Sequence, residues 1–115
     1  EPQGAALAGM PKACLSGYAP ADLRVAVVIG KTSFTIGRRD GNDLVLQVDN
    51  KVGVSGRHAT IKYLDGRFFI VDDKSTFGTF VNDVRLPAGA TLPLDDGAII
   101  GMGPKVKIQF RLNCP

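Results

Sequence analysis

The chain has 115 residues, 44% hydrophobic and 22% charged, with a net charge of +3 from 14 basic and 11 acidic side chains. That length suits one domain with a core large enough to stand without staples, and no apolar run matches a bilayer span or a signal peptide. The mild basic excess admits an anionic partner but lacks the dense basic stripe of a nucleic-acid binder, and two cysteines without CxxC spacing plus one histidine do not make a zinc site.

In chain order, residues 1–9 (EPQGAALAG) are small and unpatterned and read as a flexible N-terminal arm, leaving 10–115 as a single domain. The start at Glu1 rather than Met reads as a piece of a longer protein. No apolar series at helical spacing runs beyond two turns. Short β-rich runs follow instead: KACLSG (12–17), RVAVVI (24–29), SFTIG (33–37) and LVLQV (44–48). The clearest is ATIKYL-DG-RFFIVDD, where Asp65-Gly66 is the residue pair a type I′ hairpin turn demands. TFVN (79–82), AIIGM (98–102) and KVKIQFRL (105–112) complete the series, with Asn82-Asp83 as a further tight turn. In the last run Val106, Ile108, Phe110 and Leu112 share one face, and Lys105, Lys107, Gln109 and Arg111 share the other. Strands at this spacing predict an all-β sandwich. Cys14 and Cys114, near opposite ends, read as free thiols; only neighbouring terminal strands would bring a disulfide within reach.

Three stretches carry groups able to hold an anion. In IGRR (36–39), Gly37 frees the backbone at a strand end and Arg38 offers a planar fork for a carboxylate or phosphate. In SGRH (55–58), the Ser55 hydroxyl and the amides freed by Gly56 form a small donor cluster, and His58 begins a strand. A Ser/His pair also invites a nucleophile reading, but residues 53–57 read GVSGR and not G-x-S-x-G, and nothing supplies an oxyanion hole. His58 is better read as a buried ring bonded to loop backbone. In DDKSTFGTFVND (72–83), Ser75 and Thr76 supply hydroxyls ahead of Gly78, which permits a turn with positive φ.

Taken together, GR at 37–38, S-x-R-H at 55–58, S-T-x-G-T at 75–79 and V-N at 81–82, with the hairpin between the second and third, resemble the forkhead-associated (FHA) domain over roughly residues 12–112. The resemblance implies an eleven-stranded antiparallel-type β-sandwich of two sheets, pairing of the first and last strands, and binding loops at one end. It implies a non-catalytic module that binds a threonine-phosphorylated protein. By position, Arg38, Ser55 and Thr76 match the phosphate-binding residues. Gly37, His58, Gly78 and Thr79 match residues that shape or brace the loops. Arg39, Gly56, Arg57, Ser75, Phe77 and Asn82 are the candidates for peptide contact. No cofactor, metal, membrane or nucleic acid is expected. The isolated domain is expected to be monomeric and intracellular, nuclear or cytoplasmic.

Two positions depart from the family pattern. Phe77 stands where an asparagine usually holds the peptide backbone, and a phenyl ring cannot make those bonds. Gly56 stands where many members carry a polar side chain. The phosphate grip therefore looks complete and the backbone grip reduced. A degenerate FHA domain, serving as a phosphate-independent structural or oligomerisation element, is the main rival. A nucleic-acid-binding β domain is the other, but the aromatic of KVKIQFR, Phe110, lies on the face away from the basic residues.

Overall fold

The structure is a computed structural model that describes residues 10–48, 53–87 and 89–114; the expected arm at 1–9 lies outside the described residues. The described chain forms eleven strands: β1 (Ala13–Ala19), β2 (Ala26–Val28), β3 (Ser33–Gly37), β4 (Leu44–Val45), β5 (Ala59–Leu64), β6 (Arg67–Asp72), β7 (Thr79–Val81), β8 (Val84–Arg85), β9 (Thr91–Pro93), β10 (Ile99–Met102) and β11 (Val106–Leu112). They build a six-stranded sheet, β2-β1-β11-β10-β7-β8, and a five-stranded sheet, β4-β3-β5-β6-β9. The all-β sandwich and the pairing of the terminal strands both follow expectation, with Leu15 opposite Phe110 in the β1–β11 ladder.

Alternation determines which side chains enter the space between the sheets. Val106, Ile108 and Phe110 of β11 are fully buried, with Leu15 and Ile100 beside them. The facing sheet contributes Phe34, Ile36, Ile61, Phe68 and Ile70. Phe68 and Phe110 meet edge-on with ring centroids 5.3 Å apart, so aromatic contact joins the two sheets. In β6 the inward positions run Phe68, Ile70, Asp72, so the period that builds the core also buries a carboxylate at the strand's end.

The hairpin turns form as the residue types demand: Asp65 and Gly66 have φ of 50° and 82°, and Asn82 and Asp83 of 50° and 68°. Elsewhere the strands are shorter than the runs suggest. LVLQV keeps only Leu44–Val45, because the Val48 amide turns back onto the Leu46 carbonyl at 3.0 Å. RVAVVI keeps only Ala26–Val28, an edge strand bonded to β1 alone. β8 and β9, of two and three residues, were not foreseen; both are sheet edges with no alternating run to mark them.

The free-thiol expectation is corrected. Cys14 and Cys114 form a disulfide, with their Cα atoms 6.4 Å apart after 100 residues of chain. Sequence distance misleads here because the β1–β11 ladder continues past the strand, the Asn113 amide donating to the Lys12 carbonyl at 2.8 Å. Closing a loop of 100 residues restricts the unfolded chain and is worth about 2–4 kcal/mol. Thermal melts with and without dithiothreitol check this: the wild-type midpoint should fall on reduction, and that of Cys14→Ser should not respond.

Candidate functional site

The ladder registers carry the three anion-competent stretches to one end of the sandwich. Ile36 pairs with Ala59, Ala59 with Asp72, and Met102 with Thr79. The ends of β3, β6 and β10 and the starts of β5, β7 and β11 therefore lie together. Above them sit the β3–β4 turn, the described residues 53–58 of the β4–β5 loop, the β6–β7 loop and the β10–β11 turn.

The first two are zipped by backbone. The Arg38 amide donates to the Ser55 carbonyl and the Arg39 amide to the Gly56 carbonyl, both at 3.0 Å. The Asn42 side-chain amide donates to the Gly56 carbonyl at 2.7 Å and to the Arg39 carbonyl at 2.8 Å. The approach is close enough that a Cβ at Gly37 would collide with the Gly56 carbonyl oxygen, which explains the glycine there. Arg38 Nε donates to the Val54 carbonyl at 3.2 Å, and the residue is otherwise exposed.

His58 ties these loops to the β6–β7 loop. Its ring is fully buried. Nδ1 accepts from the Ser55 amide at 3.0 Å, and on the opposite edge Nε2 lies 2.8 Å from the Gly78 carbonyl oxygen. A carbonyl only accepts, so Nε2 carries the proton and the ring is neutral. The same Gly78 carbonyl takes the Gly103 amide at 3.0 Å, which adds the β10–β11 turn to the junction. Burial pushes the His58 pKa down, and this outweighs the Gly78 hydrogen bond and the negative charges of Asp72 and Asp73, which act the other way.

The β6–β7 loop has its own hub. Asp72 accepts from the Ser75 hydroxyl, from the Ser75 amide at 3.3 Å and from the Thr79 hydroxyl at 2.7 Å. The Ser75 oxygen in turn accepts the Gly78 amide at 3.0 Å, and Gly78 takes φ of 92°. Burial by itself would raise the Asp72 pKa; the Ser75 and Thr79 hydrogen bonds overcome it and hold the carboxyl below its usual value. Across the gap, the Ser55 hydroxyl oxygen accepts from the Thr76 amide at 3.0 Å.

The result is an open depression of about 250 Å³ lined by Arg38, Gly53, Val54, Ser55, Gly56, Thr76 and Phe77. A larger depression of about 410 Å³ lies elsewhere, between Leu23, Val25 and Val48. It holds none of the anion-competent residues foreseen from sequence, and the smaller one holds three of them. Phe77 is 55% exposed, its ring lying over Gly53 beside Pro104. Arg39 lies with its guanidinium against Gly56. Arg57 is in an ion pair with Asp73 at 3.5 Å. Ser75 faces Asp72 and Gly78, inside its own loop.

One expected peptide contact is not brought to the group. Asn82 sits in the β7–β8 turn, at the other end of β7, where its Oδ1 accepts the Ile99 amide at 3.0 Å. Its left-handed φ explains its position, and the turn directs it away from the depression. Two residues of the site were not foreseen. Asn42 leaves no sequence signal beyond a polar turn residue. Asp72 does leave one: it falls on the inward register of Phe68 and Ile70, where a carboxylate must find several donors.

His58 is the only histidine in the chain, so its titration can be read directly. With its pKa depressed below 6.5 in the folded state, the unfolded chain binds the extra proton between the two values. Stability is therefore complete above about pH 6.5 and falls as the pH drops through that window. Asp72 adds a second loss below its ordinary 3.8. Urea titrations at pH 7.5, 6.5 and 5.5 should show the midpoint falling with acid. His58→Gln should be less stable at pH 7.5, by about 2–4 kcal/mol from two buried groups left poorly paired, and should lack the slope near neutrality.

Against known proteins, the family model for the FHA domain matches residues 34–103. The transcription factor 19-like protein of Mus musculus is 40% identical over an aligned length of 72, covering 59% of this chain and 27% of that protein. The chain spans 21–27% of the length of the curated relatives it matches. Among solved structures, Mycobacterium tuberculosis EmbR in complex with a low-affinity phosphopeptide superposes with a TM-score of 0.76 at 25% identity, over 91% of this chain and 25% of that one. A domain from a structural and functional study of phosphothreonine-dependent FHA domain interactions gives 0.73 at 25% identity, over 90% and 99% of the two chains.

Proposed function

The chain belongs to the forkhead-associated (FHA) domain family, whose model covers more than half of it, and we propose that it binds a threonine-phosphorylated protein through the depression between Arg38, Ser55 and Thr76. The observation that carries this reading is the convergence of these three residues on one braced rim. A phosphothreonine brings about −1.5 to −2 charges and three strong acceptor oxygens. Among the described residues the Arg38 guanidinium spends only Nε, on the Val54 carbonyl, so its outer N–H groups remain to face phosphate. The Ser55 oxygen accepts from the Thr76 amide, and its own O–H is left to donate to the ligand. The Thr76 hydroxyl stands at the facing edge. His58 braces both loops and touches no ligand.

The module is non-catalytic in this reading. His58 Nδ1 takes the Ser55 amide and not its hydroxyl, and Nε2 is committed to Gly78. Neither nitrogen is left to deprotonate a nucleophile. The domain acts within a longer protein, as a monomeric unit over residues 10–115, and inside the cell. Phe77 supplies no amide for the peptide backbone, so affinity rests more heavily on the phosphate than where an asparagine stands.

Arg38→Ala should lose a charge-assisted contact of about 1.5–3 kcal/mol, roughly a 10- to 150-fold loss of affinity. Fluorescence polarisation against a degenerate phosphothreonine library, with unphosphorylated and phosphoserine counterparts, measures it. Equal binding of phosphorylated and unphosphorylated peptides would sink the reading and favour a degenerate, phosphate-independent domain. With the same probes, Phe77→Asn should bind phosphothreonine peptides a few-fold more tightly, by about 1 kcal/mol for a regained hydrogen bond.

A further inference from the structure

The two extra arginines at the rim are held differently. Arg57 is in an ion pair with Asp73, which also takes the Thr60 hydroxyl. Arg39 is held by its backbone. Its amide donates to the Gly56 carbonyl at 3.0 Å, and its carbonyl accepts the Asn42 side chain at 2.8 Å. Among the described residues, no acid or hydrogen-bond acceptor pairs with its guanidinium.

The place of that guanidinium is specific. Its Nε and Nη2 atoms stand 3.2 Å from where a Cβ on Gly56 would project, and Gly56 lines the depression with Arg38, Ser55 and Thr76. The space left by the missing side chain at position 56 is thus covered by a planar cation from the neighbouring turn. A guanidinium cannot lose its charge, and it offers a fork of N–H donors matched to a carboxylate. Beside Arg38 it leaves two like charges at one rim, an arrangement that an anionic group on the ligand would relieve.

We infer that Arg39 is a specificity-determining residue, its guanidinium on Gly56 receiving an acidic side chain that flanks the phosphothreonine of the bound peptide. This rests on the phosphothreonine reading above and adds the class of peptide: one with a carboxylate close to the phosphorylated threonine. Arg57 is a poorer candidate, since its charge is already met by Asp73.

The test compares three phosphothreonine peptides by fluorescence polarisation: one with neutral flanks, one with glutamates before the threonine, and one with glutamates after it. Wild type should bind one of the glutamate peptides roughly three- to tenfold more tightly than the neutral one, and the ratio should shrink at high salt. In Arg39→Ala the ratio should fall to about one, and in Arg57→Ala it should persist. The inference is overturned if Arg39→Ala keeps the preference, or if it weakens all three peptides by one common factor, which would place the guanidinium on the phosphate itself. A wild type that requires the phosphate yet ignores the glutamates defeats the Arg39 inference alone. A wild type that binds none of the phosphopeptides defeats the phosphothreonine reading and this inference with it.

Discussion

The buried imidazole of His58 is the contact on which the rest of the site depends. One neutral ring accepts from Ser55 on one edge and donates to Gly78 on the other, so two loops far apart in sequence are held at a distance set by the width of the ring. The remaining contacts build outward from it. Ser55 carries the Arg38 amide through its carbonyl and Thr76 through its hydroxyl, and Gly78 carries Gly103. A rim ordered before ligand arrives need not lose that freedom on binding, which leaves more of the contact energy for affinity.

The sandwich contributes by ending its strands in the same place. The Phe68–Phe110 contact and the aliphatic side chains around it hold the two sheets at a fixed separation. The loops above inherit that rigidity. Asp72 couples core and loop directly: it is the last inward residue of β6 and also the acceptor that folds Ser75 and Thr79 around it. No buried side-chain nitrogen or oxygen among the described residues lacks a partner. The polar groups beneath the rim are thus occupied with one another, and the donors that line the depression or its edge belong to Arg38, Arg39, Ser55 and Thr76.

Phe77 and Gly56, the two departures from the family pattern, each change what surrounds the proposed phosphate grip. At position 77 an amide is exchanged for an exposed ring that lies on Gly53 and Pro104. At position 56 a side chain is absent and the guanidinium of Arg39 covers the gap. In the phosphothreonine reading both changes concern contacts beyond the phosphate, where members of such a family would come to differ in the peptides they prefer.

Much of this was legible in the residues alone. Alternation in KVKIQFRL and RFFIVDD marks strands and their buried faces because side chains point alternately to opposite sides of a sheet. Asp65-Gly66 and Asn82-Asp83 mark turns because few residues tolerate positive φ. The order of Arg38, Ser55, His58 and Thr76 marks the site through its resemblance to a family. What the sequence did not carry was anything decided by where strands stop and which strands lie side by side. Edge strands of two or three residues have too few positions to show a period. The Cys14–Cys114 bridge, the seat of Arg39 on Gly56, the separate fate of Arg57 on Asp73 and the removal of Asn82 from the rim all depend on distances between segments far apart in the chain. Local pattern fixes the direction a side chain takes from its own strand, and only the packed sandwich decides what it meets there.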